Sequence, residues 1–246
     1  MSDSAQLNHT TDERIKKFSK LRKALIRPEL GGIVGTVAVF TFFLLFAYDS
    51  GMFNSRGVMN WSIVSAQFVI IAVGAGLLMI AGEFDLSVGS MIGFAGMMIA
   101  IFSVTLGWPV WVAILVTFVM CLGVGALNGF IVIRTGLPSF IVTLAFLFIL
   151  RGLTIFLPQV IVRKTIIGGV KDVAEGDWLA VLFDGKILTG LFSWLGEEGL
   201  IATFERGTRA GQPIVSGVPM LIVWAIVLML FGHFLLTRTQ FGNWIF

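Results

Sequence analysis

Two carboxylates and two hydroxyls fall within the short segment Ala81-Gly82-Glu83-Phe84-Asp85-Leu86-Ser87-Val88-Gly89-Ser90, which separates two long apolar runs. Groups of these types can hold a cation, pass a proton or cap a helix. Two arrangements fit the spacing. In one, the segment is a tight cytoplasmic turn and Glu83 and Asp85 are solvated loop charges. In the other, an apolar span is broken here, because irregular backbone is tolerated at membrane depth where it lines a polar cavity. In either arrangement Asp85 or Ser87 has the chemistry to cap the helix that follows.

A few further polar groups stand alone in apolar surroundings: Gln67, Asn128, Thr143 and Arg151. The amide of Asn128 either bonds a neighbouring helix or lines a pathway. The hydroxyl of Thr143 can do the same, or satisfy a carbonyl one turn back in its own helix. Arg151 is the one full charge well inside an apolar run. A charge at the bilayer centre costs roughly 2.5–3.5 kcal/mol on insertion scales. If the helix ends at Leu157, Arg151 lies about 9 Å from that end at 1.5 Å per residue. Its long side chain then snorkels to the outer interface, pairs with a carboxylate, or contacts a polar substrate.

Other chemistries lack their residues. Cys121 is the only cysteine, and the two histidines, His9 and His233, are far apart, so no metal site or cofactor is expected. His233 reads as a polar spot near a helix end. No G-x-x-x-x-G-K-[ST], H-E-x-x-H or G-x-S-x-G motif occurs, which excludes a P-loop nucleotide site and the common hydrolytic centres.

The elements that position these groups follow from composition. Hydrophobic residues make up 57% of the 246 positions, charged residues 13%, and the mean hydropathy is +0.97. Soluble domains carry roughly 25% charged residues, so this chain cannot cover a water-facing surface. The expected fold is all-α: a polytopic transmembrane bundle with about six spans, near 31–48, 58–80, 87–106, 109–133, 139–157 and 217–236. The organisation that follows is a cytoplasmic basic N-terminal segment at 1–30, five helices within 31–157, an outer loop with interfacial helices at 158–216, and a sixth helix with the start of a cytoplasmic segment at 217–246.

Seven Lys and Arg residues between Arg14 and Arg27 precede the first span. They predict a cytoplasmic N-terminus and a short amphipathic helix on the lipid surface, and they account for the net charge of +3 without nucleic acid. The outer loop mixes Trp178, Leu179, Phe183, Phe192 and Trp194 with acidic residues, which predicts one or two short interfacial helices. Small-xxx-small pairs at Gly31/Gly35, Gly89/Gly93 and Gly125/Gly129 predict close helix packing, either static or sliding.

Three ordered stretches carry a family resemblance. Gly82-Glu-Phe-Asp85-Leu-Ser87-Val-Gly89-Ser90 resembles the G-G-I-D-L-S-V-G-S signature of ribose/xylose-type permeases of bacterial ABC sugar importers, within the branched-chain amino acid/ribose permease superfamily. Gly125-Ala-Leu-Asn128-Gly129 with Pro138-Ser-Phe-Ile-Val-Thr143-Leu is similar to the family's G-x-x-N-G and P-x-F-I-x-T-L segments, and Arg151-Gly-Leu to its R-G-L. Thr239-Gln-Phe-Gly242-Asn243 resembles T-x-F-G-R, with Asn243 where Arg is usual; Glu83 likewise replaces a usual Gly or Ala.

The resemblance implies a permease subunit, not an enzyme, that passes a monosaccharide or polyol across a bacterial inner membrane. It implies a partner ATPase, a periplasmic sugar-binding protein and a second permease subunit as a homodimer, all against membrane lipid. Asp85, Ser87, Asn128, Thr143 and Arg151 are the signature residues on the expected pathway. Family members continue with further helices beyond the point matching Phe246, which implies a partial chain. Two other classes remain open: an ion-coupled secondary transporter using Glu83 and Asp85, and a membrane scaffold with no cargo.

Overall fold

A computed structural model describes residues 29–206 and 208–245. The basic stretch Arg14–Arg27 lies outside the described residues. The first described element, α1 (Glu29–Phe46), belongs to a unit of its own. It stops two residues short of the expected end: the chain turns at Ala47 into a single 3-10 turn, Tyr48–Ser50, which Gly51 closes at φ 78°.

The second unit begins at Ser55. Its long helices are α2 (Ser55–Ile80), α3 (Val88–Ala100), α4 (Val110–Thr135), α5 (Ser139–Val162) and α9 (Met220–Arg238). Helix α3 runs on through a π-turn at Ile101–Thr105, where Leu106 N–H bonds the Ile101 carbonyl at 2.9 Å. With that turn included, all five are long and apolar enough to cross a membrane, and the apolar part of α1, Leu30–Phe46, is a shorter sixth. The chain is a polytopic helical bundle, as its composition predicts. Its helices leave Ile133, Phe118, Val119 and Phe231 largely exposed, which water would penalise and lipid does not.

Prolines and glycines set the boundaries. Pro109, Pro138 and Pro219 each stand immediately before a helix in extended backbone, where the missing N–H costs nothing. Gly136 ends α4 in the left-handed region at φ 68°. Pro158 breaks this pattern. It lies buried inside α5, which continues to Val162, five residues past the expected end at 157. Neighbouring polar groups and packing let membrane helices accommodate proline.

Helices α3, α4 and α5 pack around one core of Phe94, Met98, Ile101 and Leu150, flanked by Met97, Met120, Val124 and Leu153. Helix α9 packs along α2. Between α5 and α9 lies a block with three short helices, α6 (Val170–Val173), α7 (Trp178–Asp184) and α8 (Thr189–Glu197). Strands β1 (Lys186–Ile187) and β2 (Val218–Pro219) close it as an antiparallel ribbon, with Lys186 opposite Pro219. Asp177 fixes the block to the bundle: one oxygen accepts from Leu179 and Ala180 N–H at 3.0 and 3.1 Å and caps α7, and the other accepts from Trp111 N–H at 3.0 Å at the start of α4.

Candidate functional site

Helix α2 ends in a Schellman arrangement. Glu83 N–H bonds Leu78 C=O and Gly82 N–H bonds Met79 C=O, both at 3.1 Å, with Gly82 at φ 81°. That conformation costs a side-chain-bearing residue roughly 1–2 kcal/mol, which gives Gly82 its place. The chain then runs without helix from Glu83 to Leu86 before α3 begins. Of the two sequence arrangements, the structure has a non-helical segment whose polar backbone is docked against another helix.

The docking partner is the first turn of α5. Ser139 Oγ accepts from Phe84 N–H at 3.0 Å, and Thr143 Oγ1 accepts from Leu86 N–H at 3.1 Å. An i, i+2 pair of amides in the non-helical stretch thus meets an i, i+4 pair of hydroxyls on one face of the helix. Thr143 Oγ1 donates in turn to the Ser139 carbonyl at 2.9 Å, within its own helix. Ser139 and Thr143 are buried, so these bonds replace water for amides that would otherwise be unsatisfied at a cost of about 1–3 kcal/mol each.

Asp85 and Ser87 organise the start of α3. One Asp85 oxygen, Oδ1, accepts from Ser87 N–H at 2.7 Å and from Ser87 Oγ–H at 2.6 Å. This Asx turn does the work of a cap; Ser87 itself makes no side-chain capping bond to the helix. Because the Ser87 hydroxyl hydrogen is spent on Asp85, its oxygen is left to accept from Asn128 Nδ2, at 3.4 Å, from α4. Ser87 is fully buried and Asn128 nearly so, and Asn128 Oδ1 has no partner among the described residues. Three helices thus meet at one polar node: Asp85 and Ser87 at the head of α3, Asn128 of α4, and Ser139 with Thr143 of α5.

Four of the five sequence-predicted pathway residues, Asp85, Ser87, Asn128 and Thr143, come together in this node. Arg151 stands apart, exposed, three turns along α5. Of the predicted packing glycines, Gly93 faces Thr154, whose methyl would sit 3.7 Å from an added Cβ, while Gly89, Gly125 and Gly129 have open space within the chain. Gln67 is exposed on α2, and His233 borders a cleft of about 180 Å³ between α2 and α9.

Sequence reasoning missed three things. Ser139 reads as an ordinary helix start, and only its two-residue, four-residue match with Phe84 and Leu86 marks it as a ligand. Gly232 lies where a Cβ would come 2.7 Å from Val73 Cγ1 on α2, yet it has no small partner at four-residue spacing. In the Thr239–Gly242 segment, Thr239 Oγ1 accepts from Gly242 N–H at 3.4 Å at the start of α10 (Gln240–Ile245), and a Cβ on Gly242 would strike the Leu235 and Leu236 carbonyls.

The arrangement holds irregular backbone in place. Among the described residues, no three His, Cys, Asp or Glu side chains are grouped to hold a metal ion.

Comparison with known proteins extends the picture. The chain is 31% identical over 238 residues to the xylose transport system permease protein XylH of Escherichia coli K12, covering 87% of this chain and 60% of that protein. It is 23% identical over 177 residues to the autoinducer 2 import system permease protein LsrD of Klebsiella pneumoniae (72% and 44% covered). It is 37% identical over 89 residues to the fructose import permease protein FruF of Bifidobacterium longum (36% and 25% covered). The chain thus spans about 60% of the length of its XylH relatives. No solved structure matches it significantly. The family model described as branched-chain amino acid transport system / permease component matches residues 57–246, so it takes in the whole node and all but the first two residues of the five membrane-length helices, and the chain belongs to that family.

Proposed function

We propose that this chain forms the membrane pathway of an ATP-driven importer for a monosaccharide or related polyol in a bacterial inner membrane. The observation that carries the reading is the polar node at Asp85, Ser87, Asn128, Ser139 and Thr143. It fixes a non-helical stretch of backbone inside an otherwise apolar bundle, in a family whose relatives are sugar and autoinducer import permeases. A neutral solute is served by hydroxyls, amides and backbone dipoles and needs no intramembrane ion pair.

The node also weighs against ion coupling. Asp85 Oδ1 is engaged by Ser87 N–H and Oγ–H at 2.7 and 2.6 Å, so this carboxylate is committed to holding the head of α3. In the proposed assembly, two permease subunits pair. A separate ATPase docks on the side where the basic N-terminus lies, and a periplasmic binding protein delivers solute to the opposite side. The site residues of the pathway are Asp85, Ser87, Asn128 and Thr143.

The test is reconstitution of the full-length permease in vesicles with its ATPase and binding protein. The expected result is uptake of xylose, ribose or fructose that requires ATP and the binding protein. Uptake driven by an ion gradient without the ATPase would overturn the reading.

A further inference from the structure

Helices α4 and α9 both begin at the block that separates α5 from α9, each directly after a proline, Pro109 and Pro219. Helix α7 packs against both of them. It has only seven residues, and isolated helices shorter than about 12–15 residues are marginal in water. Its hold comes from the polar groups at its two ends, which are shared with the starts of α4 and α9.

At the start of α7 one carboxylate serves two helices. Asp177 Oδ1 accepts from Leu179 and Ala180 N–H of α7, and Oδ2 accepts from Trp111 N–H of α4 at 3.0 Å. Trp111 is the second residue of α4, so its amide is one of the four that a helix leaves unpaired at its start. A negative charge is favourable at both helix starts. At the other end of α7, the last-turn carbonyl of Leu182 accepts from Trp224 Nε1–H of α9 at 2.9 Å, and the Phe183 and Trp224 rings lie 5.6 Å apart. Just past α7, the Gly185 carbonyl accepts from the N–H of Met220, the first residue of α9, at 2.8 Å. All of these bonds join parts of this chain to each other.

Helix α4 shares its core with α3 and α5, whereas α9 packs along α2. Helix α7 therefore ties a helix of one group to a helix of the other. We infer that α7 is a clamp, which keeps the starting ends of α4 and α9 at one separation while the transporter cycles. At this end α9 travels with the block of α3, α4 and α5. Displacement is left to the far end of α9 and to its contact with α2. Directional bonds fix a separation that apolar contact alone would let drift. The cycle in question is that of the import reading above.

The experiment uses the full-length permease with its ATPase and binding protein in vesicles. Cys121 is first replaced by Ser, since it is the only native thiol in this chain. Spin labels on Leu115→Cys and Ile226→Cys report on the starting ends of α4 and α9, and labels on Ile133→Cys and Phe234→Cys report on their far ends; all four positions are exposed. Labelled permease is diluted with unlabelled permease, so that each distance is measured within one subunit. Pulsed electron resonance distances are compared between the nucleotide-free and ATP-bound complexes. The first distance is expected to be the same in both states and the second to change.

The double variant Asp177→Ser, Trp224→Phe opens the clamp and spares its surroundings. Serine still caps α7 but has one oxygen where aspartate has two, and phenylalanine keeps a ring against Phe183 without the N–H. In this variant the first distance is expected to broaden and to shift with nucleotide, and uptake per ATP hydrolysed to fall several-fold. A double variant that keeps both the first distance and full uptake would overturn the inference. Should it fail to assemble, the distances in the otherwise unmutated complex decide alone: equal displacement at both label pairs, or at neither, would overturn it. Loss of ATP-dependent uptake in the unlabelled, unmutated complex would instead sink the import reading.

Discussion

Helices α3 and α5, and helices α2 and α9, form the two most extensive helix pairs of the bundle, and they are held by different forces. The first pair has an apolar middle, Phe94, Met98, Ile101 and Leu150. At one end it is fastened by directional bonds from Ser139 and Thr143 to the backbone that leads into α3. The second pair is largely apolar along its length, with Gly232 close against Val73 and beside it a cleft of about 180 Å³ lined by Ala72, Gly76, Leu77, Met229 and His233. Lipid gives two apolar helices no hydrophobic reason to associate, so such a pair relies on van der Waals fit. A contact of that kind can slide or part at small cost, whereas parting one fastened by hydrogen bonds leaves buried amides unpaired at about 1–3 kcal/mol each. Motion within this unit is therefore expected between α2 and α9, with α3, α4 and α5 moving as a block.

The comparison can be broken most directly at the node. Replacing Ser139 by Ala and Thr143 by Val together removes both acceptors and leaves two amides unpaired, at about 1–3 kcal/mol each. Thermal unfolding in detergent should show this double variant as the least stable of the set, and uptake in vesicles should fall with it. Unchanged melting would mean that water replaces the hydroxyls and that the fastening is dispensable.

Gly232→Ala tests the other pair. Its Cβ would lie 2.7 Å from Val73 Cγ1, and overpacking of this kind typically costs 1–3 kcal/mol. The loss should be largely recovered in the double variant Gly232→Ala, Val73→Ala. A failure of rescue would show that α2 and α9 meet elsewhere. Smaller still is Gly82→Ala, expected to cost about 1 kcal/mol from its positive φ alone, read in the same melting assay with no change in transported sugar.

The smallest effect is expected at Gly129→Ala. No atom lies within 4 Å of the added Cβ, and exposed substitutions usually fall within about 0.5 kcal/mol. Melting of this chain should be unaffected. A loss of uptake in the full-length complex would then identify a close contact made by something other than the helices described here.

Most of the bundle could be read from the residues, because the cost of placing charge in hydrocarbon leaves a strong imprint on composition. The six apolar helices lie within a few residues of their expected positions. The exceptions have local causes. Helix α5 runs on through Pro158 beyond its expected end at 157, and Val218 and Pro219 are drawn from the last span into a ribbon with Lys186 and Ile187. Within the site, Asp85 and Ser87 were legible because a carboxylate two residues before a serine at a helix start has a defined geometry. Ser139 and Gly232 were not, since each acts on a partner more than fifty residues away in sequence and no local pattern encodes that pairing.

The pairing of a non-helical backbone with a helical row of hydroxyls has one further consequence. The row on α5 contains only two rungs. One turn further along from Thr143 stands Leu147, which has nothing to offer an amide, and one turn before Ser139 the chain has already left α5 for Thr135 at the end of α4. The segment from Phe84 to Leu86 therefore has one seat and no neighbouring seat to step into. It behaves as a latch with a single position, closed or open, and any cycle that releases it must reset it to the same notch.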